Sequence, residues 1–281
     1  MEKPKYYVAS FSGGKDSTAM VLHLMELGAP IDEVIFCDTT MEFPALIRHV
    51  EKVKQVIEEA GIKFTTLKST YDFEYWLLEY TPKRRNPNLE GLNGKSWAGP
   101  MTRWCTKHLK TELIERYMRE LRKQYDVIQY IGIAADEGHR LERTQQQGAH
   151  KRYPLNEWGW IEADALYYCY DKGYDWEGLY NLFGRVSCWC CPLQPLEELR
   201  TLRKHFPELW DKLWCLDDQT WRTFKPNNQS IASLDKRFTF EDALTEKGYS
   251  IKNRAFHKDL KRLLSGEVTI EQIIQEREIQ P

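Results

Sequence analysis

The sequence has no uninterrupted apolar stretch near the roughly 20 residues that a membrane-spanning helix needs. Its opening, Met1 to Ser10, passes straight into a strand-like pattern without the apolar core of a secretory signal. Membrane insertion and secretion are not expected, and a cytoplasmic location is. No internal repeat and no low-complexity segment occurs. The seven cysteines are odd in number and unevenly spread, with three of them between Cys188 and Cys191. That pattern argues against a disulfide framework and for a metal or redox site in a reducing compartment.

The bulk composition is that of an ordinary globular protein. Of 281 residues, 42% are apolar and 29% charged, enough for one large domain or for a core domain with a smaller appendage. The net charge of −2 hides a local excess. From Thr81 to Lys110 there are seven basic residues (Lys83, Arg84, Arg85, Lys95, Arg103, Lys107 and Lys110) against one acid, Glu90. Such a stretch suits an anionic substrate or a nucleic-acid backbone, although a solvated basic loop would look the same.

Hydrophobic periodicity alternates along the first half. Lys5–Ser10 reads as a strand and Ser17–Leu27 as a helix stopped by Gly28. Glu33–Cys37 reads as a second strand, and a helix opened by Pro44 carries Leu46, Ile47, Val50, Val53, Val56 and Ile57 on one face. Ile62–Leu67 is a third strand, Tyr71–Tyr80 a short helix, Thr102–Lys123 a longer one and Val127–Ala134 a further strand. Thr81–Pro100, rich in Pro, Gly and Asn, is expected to be a long, mobile loop. This order predicts an α/β fold, a doubly wound and mainly parallel sheet. The expected division is an α/β domain over residues 1–160 and a helical, cysteine-containing part over 161–281.

Between the first strand and its helix lies Ser10-Phe-Ser12-Gly13-Gly14-Lys15-Asp16-Ser17-Thr18. Two glycines let the backbone turn tightly and approach an anion, and the helix behind them presents N–H groups and the positive end of its dipole. Lys15 adds charge; Ser12, Ser17 and Thr18 add hydroxyls. A Walker A loop would need four residues between its first glycine and Gly-Lys, which this segment lacks. A plain Gly-Gly turn before a capped helix would explain the glycines, but not the Lys-Asp pair and the hydroxyls at a strand's carboxyl end.

Ser12-Gly-Gly-Lys-Asp-Ser17 resembles the PP-loop of the adenine-nucleotide α-hydrolase superfamily, and the order of later motifs resembles its phosphoadenosine-phosphosulfate (PAPS) reductase branch. Cys37-Asp38-Thr39-Thr40 with Phe43-Pro44, the segment Arg103-Trp-Cys105-Thr-Lys-His-Leu-Lys110, and Gly132-Ile-Ala-Ala-Asp136-Glu137 through Arg140 all fit that branch. So do Tyr153-Pro-Leu-Asn-Glu-Trp158 and Leu179-Tyr-Asn-Leu-Phe-Gly184 through Cys188. The resemblance covers roughly residues 5 to 215. It implies that Ser10, Ser12, Gly13, Gly14, Lys15, Asp16, Ser17, Thr18, Asp38, Gly132 and Arg140 bind ATP or a related adenine nucleotide. Adenine would lie near Phe36–Asp38. Lys15, Asp16 and Asp136 are the expected catalytic residues, with Mg²⁺ as co-ligand.

Two departures count against reduction of PAPS itself. Reductases of the branch share a C-terminal Glu-Cys-Gly segment, whereas here no cysteine follows Cys215, and Ala134 stands where their motif has an arginine. The Cys188-x-x-Cys191 spacing suits two thiolates on one metal or cluster, and soft sulfur ligands admit zinc or iron–sulfur alike; a redox dithiol is a third reading. Several PP-loop enzymes that thiolate nucleic acids hold a 4Fe-4S cluster through three cysteines. By that resemblance Cys105, Cys188 and Cys191 are the expected ligands, with Cys190 or Cys215 as a fourth; Cys37 and Cys169 are expected to be simply buried.

The activity so implied is ATP-dependent activation of an acceptor, expected to be a nucleic acid, for sulfur transfer. A sulfur-donor protein such as a cysteine desulfurase and a second copy of the chain are the further expected partners. The alternatives are a PAPS or adenosine phosphosulfate reductase, and a nucleotide-sensing module with a structural metal.

Overall fold

The computed structural model describes residues 2–145 and 150–279. Its centre is a five-stranded, wholly parallel sheet in the order β3-β2-β1-β4-β5, formed by β1 (Lys5–Phe11), β2 (Glu33–Asp38), β3 (Lys63–Lys68), β4 (Asp126–Ile131) and β5 (Lys151–Arg152). The first three strands build outward from β1 in one direction and the chain then returns to lay β4 on its other side. The doubly wound expectation is met, and the order reverses between β1 and β4, where open sheets of this kind offer a crevice at their carboxyl ends.

Both faces of the sheet are covered, which is why Val8 and Ala9, neighbours on opposite faces, are fully buried. On one face Val8, Ile35 and Val127 pack with Met118 of α4 (Glu112–Gln124), supported by Leu67, Ile114 and Leu121. α1 (Lys15–Glu26) joins β1 to β2 and buries Ala19, Met20, Val21 and Leu22. α2 (Pro44–Glu59) starts with proline at its first turn and buries Leu46, Val50, Val53 and Ile57, as its periodicity predicts. Val56 falls at the edge of that face, 37% exposed, while His49 lies within it.

Two of the described helical segments contain π-helical turns. Tyr75–Glu79 is a π-helix, and the helix predicted for Thr102–Lys123 is a continuous run of three conformations: α3 (Trp104–Thr106), a π-turn at Lys107–Thr111, then α4. Such wide turns account for well under 1% of residues and often mark functional sites. Hydrophobic spacing alone does not distinguish them from α-helix. The short helices α5 (Gly138–Gln145), α6 (Pro154–Glu157), α7 (Glu162–Asp171) and α8 (Leu179–Leu182) come next.

The chain divides into two compact units at boundaries other than residue 160: one comprises residues 1–80 and 100–191, the other 81–99 and 192–281. The second is built from α9 (Leu196–His205), α10 (Pro207–Asp218), α11 (Ile231–Glu246), α12 (Arg254–Ser265) and α13 (Ile270–Ile279). Phe240, Leu244, Phe256, Leu260 and Ile273 form the core of its last three helices. Within this unit the segment expected to be a mobile loop is held in place. Buried Asp217 accepts hydrogen bonds from Trp97 Nε1 at 2.7 Å and from the Ile231 N–H at 2.6 Å. Arg84 Nη2 donates to the carbonyls of Leu92 and Gly94, and its guanidinium lies 4.7 Å from the Trp221 ring centroid. No described helix is long and apolar enough to cross a membrane.

Candidate nucleotide loop and cysteine site

The glycine loop leaves β1 at the sheet's carboxyl edge. Gly13 has φ +78°, and a Cβ there would meet Val50 Cγ2 at 2.7 Å, so both the turn and the α2 side chains behind it require glycine. Gly132, at the end of β4, has a different reason. A Cβ on it would come within 3.0 Å of the Asp16 carbonyl oxygen and Ser17 Cα, because the strand end lies directly against the first turn of α1. The loop is cross-braced by its own hydroxyls. Ser12 N–H donates to Ser17 Oγ at 3.1 Å, and Ser17 Oγ donates to the Gly14 carbonyl at 3.0 Å. Thr18 Oγ1 shares a 3.0 Å hydrogen bond with Nε2 of buried His49, which burial holds at a pKa of about 4 and hence neutral.

Lys15 does not project into solvent. It is 7% exposed, ion-paired with Glu162 at the start of α7, and 3.5 Å from Asp16 Oδ2. Its backbone N–H donates to Tyr180 Oη at 2.8 Å, and Trp176 Nε1 donates to the Gly13 carbonyl at 2.7 Å. In this state the first amide and the ammonium of the loop are satisfied from within the protein. Burial pushes the Asp16 carboxyl up to about 6 despite Lys15 beside it, with Glu162 and Glu137 adding to the rise. Asp16 Oδ1 and Glu137 Oε2 are buried oxygens without a hydrogen-bond partner among the described residues.

The other residues singled out from the sequence fall around this loop. Ser10 lies within β1, where its hydroxyl accepts from Gln129 Nε2 at 2.8 Å. Asp38 ends β2, accepting from the Thr40 N–H and pairing with Lys68 Nζ at 3.3 Å; Phe36 and Cys37 beside it are buried. Asp136 accepts from the Glu162 N–H at 3.1 Å and so caps the helix that carries Lys15's partner. Arg140 donates to Glu137 at 2.5 Å.

The cysteine segment is fixed to the end of β2. Residues Glu42 and Cys188 form an antiparallel bridge, and the Trp189 N–H donates to the Met41 carbonyl. Cys188 Sγ is 3.5 Å from Thr39 Oγ1 and 4.0 Å from Glu42 Oε1. Glu42, 8% exposed, accepts from Thr39 Oγ1 at 2.6 Å and lies 3.8 Å from Lys110 Nζ. All seven cysteines are free thiols, and Cys37 and Cys169 are buried as expected. Cys105, Cys188, Cys190 and Cys191 are close enough to influence one another electrostatically. Cys215 belongs to the second unit.

Burial raises the Cys105 and Cys188 thiols, the latter to about 11 with Glu42 adding to the effect, and raises Cys190 further. Lys110 shows the converse. Burial alone would lower it, but the Glu42 carboxylate 3.8 Å away and the surrounding thiols as they ionise outweigh burial and raise it. Among the described residues no three His, Cys, Asp or Glu side chains converge closely enough to hold a metal ion.

The profile of the phosphoadenosine phosphosulfate reductase domain matches residues 6–194. The chain belongs to that family. Two uncharacterized proteins of Methanocaldococcus jannaschii are similar to this family member, at 28% and 26% identity over 226 residues. The matches cover 74% and 75% of this chain but 40% and 48% of those proteins, so the chain spans less than half the length of these relatives. A solved U34-tRNA thiolase from Methanococcus maripaludis with its 4Fe-4S cluster aligns over 90% of this chain and 77% of its own, at 17% identity and a TM-score of 0.39.

Sequence reasoning about this PAPS-reductase-domain protein missed Glu162, Tyr180 and Trp176, which meet the glycine loop from 147 to 165 residues away. No local pattern announces such partners. Glu42 and Lys110 lie within or beside the family-like motifs, and their charge near cysteines was the available signal.

Proposed function

We propose that this member of the family is a PP-loop ATP pyrophosphatase that activates a nucleic-acid acceptor for sulfur transfer. The carrying observation is that one compact unit holds the glycine loop at the carboxyl end of β1 and the cysteine segment 188–191, which Cys188 bridges to Glu42 just beyond the end of β2. An acceptor oxygen would attack the α-phosphate, pyrophosphate would leave, and sulfide would then displace AMP from the activated carbon.

The protein's part in the first step is electrostatic. Lys15 would leave Glu162 for the nucleotide's phosphates, exchanging one anionic partner for another, while the first-turn amides of α1 face the developing charge. Asp16 and Glu137, each with an orphaned buried oxygen, suit a hard cation that keeps waters and phosphate oxygens as its other ligands. Mg²⁺ bound there would neutralise charge on the departing pyrophosphate.

Cys105, Cys188 and Cys191 are the proposed cluster ligands, and their soft donor set fits iron–sulfur chemistry. A four-iron cluster spaces its thiolates more widely than one tetrahedral ion, in keeping with thiols that interact without forming a compact cage. When bound it supplies an iron with an open position for sulfide. Because burial holds the Cys105 and Cys188 thiols protonated, loading the site would release protons. Lys110 would offset the negative charge of the loaded site.

Anaerobically purified protein is expected to absorb near roughly 400 nm from sulfur-to-iron charge transfer, and to release pyrophosphate from ATP when RNA is added. A colourless protein with one equivalent of zinc would remove the cluster. Sulfite release from PAPS would replace this reading with a reductase, and nucleotide binding without turnover would leave a sensing module.

A further inference from the structure

A second cleft opens at the carboxyl end of β3, on the same edge of the sheet as the glycine loop and wholly within the first unit. It has a volume of about 230 Å³ and is lined by Ser69, Thr70, Tyr71, Trp76, His108 and Arg116, among others. We propose that it is a stacking pocket for one nucleobase of the acceptor strand. The proposal rests on the reading of a nucleic-acid acceptor.

Three of the lining residues, Tyr71, Trp76 and His108, present flat rings, each stacked on another ring. Tyr71 and Tyr75 stack at 4.1 Å with 16° between planes, and Trp76 and His108 at 4.1 Å with 6°. Core packing does not account for Tyr71, which is 49% exposed. Each member of the second pair comes from one of the two π-helical segments: Trp76 from Tyr75–Glu79 and His108 from Lys107–Thr111. An extra residue in a turn rotates the succeeding residues by about 100° relative to an α-helix. The stacked pair thus joins the two departures from regular geometry. Glu112 fixes the imidazole by a 2.7 Å hydrogen bond to Nδ1.

The rim sets the ligand's chemistry. Ser69 and Thr70 offer hydroxyls, Glu112 an acceptor, and exposed Arg116 has no ion-pair partner among the described residues. A purely apolar ligand would strand these groups, and a bare phosphate would leave the rings unused. A planar heteroaromatic ring with hydrogen-bonding edges and a phosphate beside it uses both. The cleft is below the size of ordinary cofactor pockets, roughly 300–1,000 Å³, and suits a single base. His108 also follows Cys105 by three residues in one helical run, so the pocket lies about one turn from a proposed cluster ligand.

The test is anisotropy of a short labelled single-stranded RNA on the full chain. Trp76→Leu and Tyr71→Ala should each weaken binding by roughly five- to 150-fold, the range of one lost base stack. Arg116→Gln should weaken it less and flatten the salt dependence. Tyr71 is largely exposed, so its variant keeps the test valid should Trp76→Leu unfold; the thermal midpoint monitors this. Tyr167→Ala, an exposed tyrosine on α7, should change nothing. Unchanged RNA affinity in both folded ring variants overturns the pocket. Nucleoside monophosphates that compete as well as RNA would make the ligand a free nucleotide and overturn its assignment to an acceptor strand. Lys15→Ala should leave RNA affinity intact. Absence of pyrophosphate release from the unaltered protein, with ring-sensitive RNA binding preserved, would therefore strike the activity and not the pocket.

Discussion

The glycine loop after β1 and the segment from Thr81 to Gly99 both look, as sequences, like places for an anion. Each combines glycine, hydroxyl or amide side chains and a basic residue. In the structure they use their charge differently. Lys15 is buried against a carboxylate that a ligand's phosphates could replace. Arg84 is half-buried against backbone carbonyls within its own segment and beside Trp221, and serves to order the loop. A basic residue marks a binding site when its partner is exchangeable, and a structural brace when its partner is the backbone.

The sharpest way to break this contrast is Gly132→Val. Its side chain would meet the rigid backbone of Asp16 and Ser17, and a stability loss of more than about 3 kcal/mol is expected, with nucleotide affinity falling too. Chemical denaturation and calorimetric nucleotide titration would check both. The corresponding blow to the other segment is Asp217→Ala. It leaves the buried Trp97 indole and the Ile231 amide without their acceptor, at a cost of about 2–4 kcal/mol, while ATP affinity of the folded variant should stay near wild type.

Protonation sharpens the comparison without mutation elsewhere. His49 has its pKa lowered to about 4 by burial behind the loop. The unfolded chain therefore binds the extra proton first as pH falls. The neutral ring's contribution is complete above about pH 6.5 and is lost progressively toward pH 4, by about 3 kcal/mol in all. Stability measured against pH should fall through that window, and the slope should be smaller in His49→Gln.

Lys15→Ala should weaken nucleotide binding by roughly 1.5–3 kcal/mol, the worth of a charge-assisted hydrogen bond. Equal calorimetric affinity would end its assignment. The mildest effects separate Arg84 from its neighbours. Arg84→Ala should cost about 1–2 kcal/mol of stability through its lost carbonyl bonds. Exposed Lys83 and Arg85, changed together to Ala, should cost less than about 0.5 kcal/mol and act only on salt-dependent RNA binding.

The parallel sheet and the glycine loop were legible because they are written in local patterns: strand-like runs at Lys5–Phe11 and Glu33–Asp38, and two glycines before a helix. The Pro44 helix start and the buried character of Cys37 and Cys169 were legible for the same reason. The division into units was not, because residues 81–99 join a body whose other members lie a hundred residues later, through Asp217 and Trp221. The π-turns were hidden because the residues that form them would fit an α-helix equally well. The loop's ion pair was hidden because neither Lys15 nor Glu162 is unusual until the fold brings them together.

Trp176 and Tyr180, which meet the glycine loop through the Gly13 carbonyl and the Lys15 amide, also set an order of events during synthesis. Once the loop has been translated, its hydrogen-bond partners emerge only after some 160 further residues. With elongation at about 5–20 residues per second, the loop waits on the order of ten seconds or more in an incomplete state. Cys188 meets Glu42 on the same late schedule. Any nascent chain stalled before Tyr180 would therefore carry the nucleotide motif but not its finished geometry, a state that nucleotide-affinity capture of stalled ribosomes would distinguish from chains stalled after Cys191.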